Sequence, residues 1–272
     1  MSLSKAQLAS LLEANPECVD CGARDPEWAS ISLGVMMCIE CSGIHRSMGV
    51  HVSKVRSLTL DRWTLPLLEL LHKAGNSTAN KVWEASSGGC LSFDKVGPDA
   101  DRGAREAFIR AKYEHRSFLD PPYDPSPDAT LSASRRLFAA CRRGDMLRAL
   151  WCLAHGADVN WANPEADGCT AAHEASKGSQ VALLELLANN GCDLSAASGK
   201  QEVPLDVAGQ DGGGGSEDDA AVVKLLLSKQ SASSSAQSQR PPAQAQAQAG
   251  AAGAAAAAAN LALSLQQQQQ QY

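Results

Sequence analysis

The chain has 272 residues, with 44% hydrophobic residues, 4% aromatic residues and a net charge of −6. That length accommodates two ordinary domains, and the acidic balance argues against a protein held to nucleic acid or to anionic lipid by charge alone. No apolar run approaches the roughly 20 residues of a membrane-spanning helix.

Ser4 is placed to cap a first helix that carries Leu8, Leu11 and Leu12 at helical spacing. It ends at Asn15-Pro16, because proline disfavours helical geometry in the residue before it. The start therefore reads as a short amphipathic helix and not as a charged-then-apolar leader. Two Cys-x2-Cys knuckles follow, Cys18 with Cys21 and Cys38 with Cys41, separated by sixteen residues. That spacing predicts a four-cysteine site for one structural Zn2+, each knuckle turning two thiolates inward. Between the knuckles, Trp28 to Met37 is apolar and punctuated by Gly34, which predicts one or two short strands with a turn. Arg46 lies five positions beyond the last ligand, so the metal would fix the backbone from which it projects.

From Ser42 to Arg62 four basic residues face one acid, and Val50, Val52, Val55, Leu58 and Leu60 alternate imperfectly with polar residues. An extended segment with a mildly basic flank is expected there. Helices resume at Leu65–Ala74, with Pro66 in the first turn and Gly75 as the stop, and at Gly75–Glu84. A last helix near Arg102–Arg116 is expected to place Ala107, Ile109, Tyr113 and Phe118 on one side.

The run Cys18-Val19-Asp20-Cys21-Gly22-Ala23-Arg24-Asp25-Pro26-Glu27-Trp28-Ala29-Ser30, then Leu33-Gly34-Val35, then Cys38-Ile39-Glu40-Cys41-Ser42-Gly43-Ile44-His45-Arg46 resembles the GTPase-activating proteins of Arf-type small GTPases. Gly75-Asn76, Asn80, Trp83-Glu84 and Phe108-Ile109-Arg110-Ala111-Lys112-Tyr113 extend the likeness to about residue 119. The resemblance implies that Arg46 acts in trans on GTP bound to an Arf-family GTPase. It also implies that Trp28, Ile31 and Asp61 contact the partner or brace the site, with Lys54 and Arg56 on the basic flank. No GxxxxGK[ST] loop occurs, so nucleotide and Mg2+ would belong to the partner. His45 is expected to pack beside the knuckle, since four thiolates complete the tetrahedron. Many members of the family carry a lipid-binding pleckstrin domain ahead of this module, so membrane recruitment falls either to partners or to a longer chain.

Asp120 to Asp128 holds four prolines, which predicts a stiff spacer. Beyond it the pattern repeats. Gly156-Ala157-Asp158 recurs at Gly191-Cys192-Asp193, and Thr170-Ala-Ala-His173-Glu-Ala175 recurs at Val203-Pro-Leu-Asp206-Val-Ala208. A period near 33 with Leu-Leu second helices resembles ankyrin repeats, in which an imidazole such as that of His173 bonds backbone at the turn. Three repeats are expected, at 132–164, 165–198 and 199–229. They should lean on the first domain because three is about the least that buries a continuous core. The glycines after Asp211 should interrupt the third. Gln230 onward is Ser, Ala, Gln and Gly, with six alanines from Ala254 and six glutamines from Gln266, and is expected to be disordered.

The expected architecture is therefore an α+β zinc-containing module at 1–119, with a small sheet and surrounding helices. A linker at 120–131, an all-α ankyrin array at 132–229 and a disordered tail at 230–272 complete it. The five remaining cysteines, Cys90, Cys141, Cys152, Cys169 and Cys192, are scattered and odd in number. They suit reduced thiols in a cytoplasmic protein, peripheral at membranes at most. A sequence-specific DNA-binding finger of the GATA type is disfavoured by the absence of a basic tail. The alternative to a GTPase activator is a non-catalytic scaffold, whose ankyrin face binds a protein the sequence does not identify.

Overall fold

The computed structural model describes residues 3–85, 95–121, 123–212 and 216–237. Cys90 and residues 238–272, on which the disorder of the tail was expected, lie outside the described residues. The chain forms two compact units, Met1–Lys229 and Gln230–Tyr272.

Helix α1 (Lys5–Ala14) starts with a reciprocal capping box between Ser4 and Gln7 and ends at Asn15. A three-stranded antiparallel sheet follows, with β1 (Trp28–Ser30) between β2 (Val35–Met37) and β3 (Val55–Ser57). The β1–β2 turn closes on Gly34, whose φ is +69° and whose missing Cβ would stand 2.5 Å from Ala74 Cβ. Only glycine satisfies both demands there. Directly opposed residues share a face of a sheet, so Trp28, Met37 and Ser57 form one row, while Ala29, Met36 and Arg56 form another on the reverse. The two faces serve two cores. Trp28, Val35 and Met37 pack with the cysteines, Ile44 and Met48, whereas Ala29, Ile31 and Met36 pack with Leu11, Leu58, Trp63, Leu67 and Leu71.

Helix α2 (Ile39–Ser47) begins at the second knuckle and carries Arg46 in its last turn. Only three residues of the alternating stretch pair as strand, and its outlying members Val50 and Leu60 are 73% and 82% exposed. Helices α3 (Leu65–Lys73) and α4 (Gly75–Trp83) meet at Ala74 and Gly75. Asn76 then knits the module. Its side chain accepts from Met36 N (2.7 Å) and donates to Glu17 O and Met36 O (2.7 and 2.9 Å), while its own N–H donates to Asn15 Oδ1. Helix α5 (Arg102–Tyr113) buries Arg105, Phe108, Ile109, Lys112 and Tyr113. Ala107, expected on that face, is exposed, because the buried stripe follows positions 105, 108–109 and 112–113.

The proline-rich segment is not a free spacer. Trp151 Nε1 donates to Asp120 O (3.3 Å), His155 Nε2 lies 3.1 Å from Pro121 O, and Arg116 covers the Tyr123 ring at 4.2 Å. Its last residues already belong to α6 (Pro127–Arg143), because Ser126 caps that helix and Pro127 is pre-set for its first turn. Helix α6 thus begins inside the stretch 120–131 expected as linker.

Helices α6 and α7 (Met146–Ala154) pair, as do α8 (Ala171–Lys177) and α9 (Val181–Asn189). The sequence period recurs as geometry. Thr170 N donates to His173 Nδ1 at 3.0 Å, and 33 residues on Val203 N donates to Asp206 Oδ2 at 2.8 Å. Asp158 and Asp193, 35 apart, each accept from the backbone N–H two residues ahead at 2.9 Å. Imidazole-to-backbone bonding is confirmed at His173, whose Nε2 lies 3.0 Å from Glu202 O. The third unit departs from a helix pair. Residues 204–209 form turns and a 3₁₀ segment (Gln210–Gly212) precedes α10 (Glu217–Gln237). Gly209, at φ +75°, stops the segment before a helix can nucleate. α10 also runs eight residues into the stretch expected to be disordered, since Ser, Ala and Gln cheaply extend a helix that already exists.

Candidate functional site: a four-cysteine cluster and an exposed arginine

The site is built on the sheet face that carries Trp28. Cys18 and Cys21 lie in a loop whose backbone closes through Cys18 N to Ala23 O (2.7 Å) and Gly22 N to Cys18 O (3.1 Å). Cys38 is the N-cap of α2 and Cys41 lies in its first turn. The four Sγ atoms lie within 4.8 Å of one another, and Cys21 Sγ stands 3.7 Å from Cys38 Sγ. A tetrahedron with Zn–S bonds of about 2.3 Å has edges of about 3.8 Å, so the residues fit the ion. Among the described residues no other set of metal-ligating side chains converges in this way.

The thiols are strongly coupled. Hydrogen bonding within the cluster holds Cys18 below the usual thiol range, and Cys38 down to about 4, while it pushes Cys21 and Cys41 up. Four thiols in this space share protons, and a divalent cation replaces them when it binds all four as thiolates. Arg105 Nη1 approaches Cys41 Sγ at 3.7 Å from outside the tetrahedron and offsets part of the thiolate charge.

A buried polar network ties the cluster to α2 and α5. Asp20, fully buried between the first two cysteines, accepts from Lys112 Nζ and Tyr113 OH on Oδ1, both at 3.0 Å, and meets His45 Nε2 on Oδ2 at 3.1 Å. Lys112 Nζ also donates to Asn80 Oδ1 and Glu84 Oε1, each at 2.8 Å. Burial pushes the Asp20 carboxyl up, but Lys112 and His45 together hold it well below the usual carboxylate range. Burial and Asp20 push the Tyr113 phenol well up. The other imidazole nitrogen of His45 lies 2.8 Å from Ser53 Oγ, and Ser53 donates to Ser30 Oγ. The residue before Arg46 is thus pinned from two sides. His45 packs beside the knuckle, as expected.

Arg46 itself is exposed, and its guanidinium lies 4.3 Å above the centroid of Trp28. Among the described residues no carboxylate is paired with it. The stack holds a cation by its flat face and leaves the N–H edges free to donate.

The remaining expected site residues divide between the faces of the sheet. Trp28 is half-buried under Arg46. Ile31 is 4% exposed in the opposite core. Arg56 shares the face of Ala29, where Nη1 donates to Arg62 O (2.9 Å) and the side chain lines a cavity of about 420 Å³ against α9 and α10. Lys54 N donates to Ser32 Oγ (3.0 Å), and burial, then Lys229, push its ammonium down. Asp61 Oδ2 accepts from Ser57 N (2.7 Å) and shapes the turn after β3, beside the row of Trp28. The structure thus brings Trp28 to Arg46 and turns Arg56 away. No sequence pattern marks Asp20, Lys112 and Arg105 as site residues, and Tyr113 is expected only on the packed side of the last helix. The only available signal was that Asp20 lies inside the first knuckle and Lys112-Tyr113 inside the closing motif.

Residues 4–122 match the family described as "ArfGap: Putative GTPase activating protein for Arf". They form an ArfGap domain. The chain is 31% identical over 285 residues to the human "Arf-GAP with coiled-coil, ANK repeat and PH domain-containing protein 2", covering 74% of this chain and 36% of that one. It is 49% identical over 127 residues to human protein 3 of the same series (46% and 15%), and 34% identical over 217 residues to the rat "ARF GTPase-activating protein GIT2" (75% and 28%). The chain spans about a third of the length of the curated relatives it matches. Among solved structures, the ArfGap domain of human RIP aligns at 24% identity and a TM-score of 0.37, covering 46% of this chain and 98% of that one. The ArfGap domain of this chain has one cofactor, a structural zinc ion, and four cysteines placed to bind it. No described helix is long and apolar enough to cross a membrane.

Proposed function

We propose that this protein stimulates GTP hydrolysis by an Arf-type small GTPase, with Arg46 as an arginine finger and the zinc site as its mount. The observation that carries this reading is an exposed arginine paired with no carboxylate among the described residues, fixed at one end of a helix whose other end is anchored in the cysteine cluster, and stacked on Trp28. When bound, zinc supplies the fold energy that keeps this helix in place. Charge develops on the transferring phosphoryl group, and the edge of a guanidinium donates to two of its oxygens at once. Such an arginine supplied in trans is worth a factor of about 10³ to 10⁵ in rate. GTP and Mg2+ come with the partner, so the chain is an activator and holds no nucleotide of its own. Asp20, Lys112 and His45 hold the backbone of α2 at a fixed height above the sheet.

The domain assignment belongs to the same reading. The first module is followed by three ankyrin repeats ending near residue 229, which fits the recurring turn geometry and the ANK repeat in the names of relatives. Their outer face takes a protein partner, and the protein works in the cytoplasm at membranes, in vesicle traffic or actin regulation. The competing reading is a scaffold that binds an Arf GTPase without accelerating it.

The test loads an Arf GTPase with GTP on vesicles and compares the wild-type chain with Arg46→Lys. A loss of about 100-fold or more in kcat is expected for the variant, because an ammonium lacks the two-pronged edge. Equal rates would remove the arginine finger, and binding without acceleration by the wild-type chain would establish the scaffold.

A further inference from the structure

Gly43 has no role in the fold that the structure can account for. It lies in the middle of α2 with ordinary helical backbone, and a Cβ built on it meets nothing within 4 Å. Glycine there weakens the helix relative to alanine for no internal benefit. The other described glycines of the module differ in conformation or in place. Gly22, Gly34, Gly49 and Gly75 all have positive φ, Gly97 lies outside any helix, where glycine costs no helix stability, and helical Gly103 has the Asp101 carboxylate at 3.2 Å from its would-be Cβ. Gly43 instead belongs to the solvent-facing stripe of α2, formed by Ile39, Glu40, Gly43, Arg46 and Ser47, while Cys41, Ser42, Ile44 and His45 face inward.

We infer that Gly43 is a notch for the main chain of the nucleotide-bearing partner. The inference rests on the reading of Arg46 given above and extends the same surface by one turn. Gly43 and Arg46 are three residues apart, about 4.5 Å along the helix axis and on one face. Ile39, an apolar side chain 60% exposed, stands one turn on the other side of the gap. A bare stretch of helix between an apolar knob and a free guanidinium lets another backbone come within contact distance of α2. A side chain at position 43 would hold the partner off by roughly its own length and would lift Arg46 from the phosphate by a comparable amount. The occupant is therefore a polypeptide segment of the GTP-bound GTPase, close to its nucleotide.

The inference makes two effects of one substitution run in opposite directions. In the full zinc-loaded chain, Gly43→Ala raises the melting temperature by about 2–4 °C, through helix propensity alone. The same variant lowers kcat/KM for GTP-loaded Arf GTPase about tenfold, and Gly43→Leu lowers it further. The loss falls on KM and on the Kd for Arf loaded with a non-hydrolysable GTP analogue, whereas Arg46→Lys loses kcat and keeps Kd. Unchanged Kd in both Gly43 variants overturns the notch and leaves the function of Arg46 standing. A lowered melting temperature or lost zinc in Gly43→Ala also overturns it, because glycine would then serve the fold. A wild-type chain that neither binds nor accelerates the GTPase removes both the notch and the reading on which it rests.

Discussion

Among single residues, the one with most depending on it is Asp20. It is fully buried, yet three groups from two helices end on its two oxygens, so it links the first knuckle to α2 and α5 at once. Replacing it with asparagine keeps the shape but removes the charge that faces Lys112, which is itself without exposed surface. Glu84 remains as a partner at 2.8 Å, so the ammonium is not abandoned entirely. Breaking one half of a buried pair typically costs about 3–5 kcal/mol. Asp20→Asn is expected to lower the urea midpoint accordingly with zinc present. A variant that unfolds at the wild-type midpoint would show that Glu84 and Asn80 suffice for Lys112. The cysteines were legible because metal ligation fixes spacing, whereas Arg46 stood out only through the resemblance of the run that ends on it. Asp20 and Lys112 are 92 residues apart, and nothing in a linear pattern distinguishes a buried charge from a solvated one. Arg56 shows the converse. It sits in the same basic stretch as Arg46, but the alternation of β3 against β1 turns it to the other side of the sheet.

At the scale of elements, the zinc module is a set of parts too small to persist alone. Each strand has three residues, and α2 starts at Cys38 without a side-chain cap. Short strands and an uncapped nine-residue helix are marginal in water, so the metal replaces the missing cap by tying Cys38 and Cys41 to the first knuckle. Chelation of the zinc is therefore expected to unfold α2 and the sheet, seen as loss of near-ultraviolet circular dichroism from Trp28, and to abolish the proposed GTPase stimulation. Readdition of Zn2+ should restore both. A chelated chain that keeps its tertiary signal would show that the cores alone carry the module. Elements were legible where the hydrophobic period was clean, as in α1, α3 and the repeat helices. α2 was not anticipated, since its apolar residues are few and Gly43 is a poor helix former. The stretch from Val50 to Leu60 imitates a strand because its apolar residues alternate, although two of them face water. In the third repeat the sequence period continues, but Pro204 and Gly209 leave too few residues between them for a helix.

At the scale of the whole molecule, the ArfGap module and the helical pairs that follow it share a core. One contiguous apolar cluster runs from Cys18, Val35 and Trp83 through Leu137, Leu150 and Leu184 to Leu226. Helix α3 packs along α9 and α4 along α7, and Asn190 Nδ2 donates to Ser32 O at 2.9 Å. Taken as the proposed repeat array, these helical pairs have open ends that need cover, and the ArfGap module supplies it along one side. The module in turn hides the apolar side of α4, where Val82 and Trp83 are 2% and 5% exposed. Each part therefore leaves a wet apolar face if the other melts, and neither gains by unfolding first. Residues 1–229 are expected to melt in a single transition, with calorimetric and van't Hoff enthalpies in agreement. Asn190→Ala, which strips a partner from the Ser32 carbonyl, should lower that one transition by the cost of a buried unsatisfied acceptor, about 1–3 kcal/mol. Two resolved transitions, with only the later part of the chain responding to Asn190→Ala, would mean that the modules are merely adjacent. In the coupled case, a ligand on the repeat helices could reach α2 only through this shared core, because α9 packs on α3 while the sheet separates α3 from the face of Arg46.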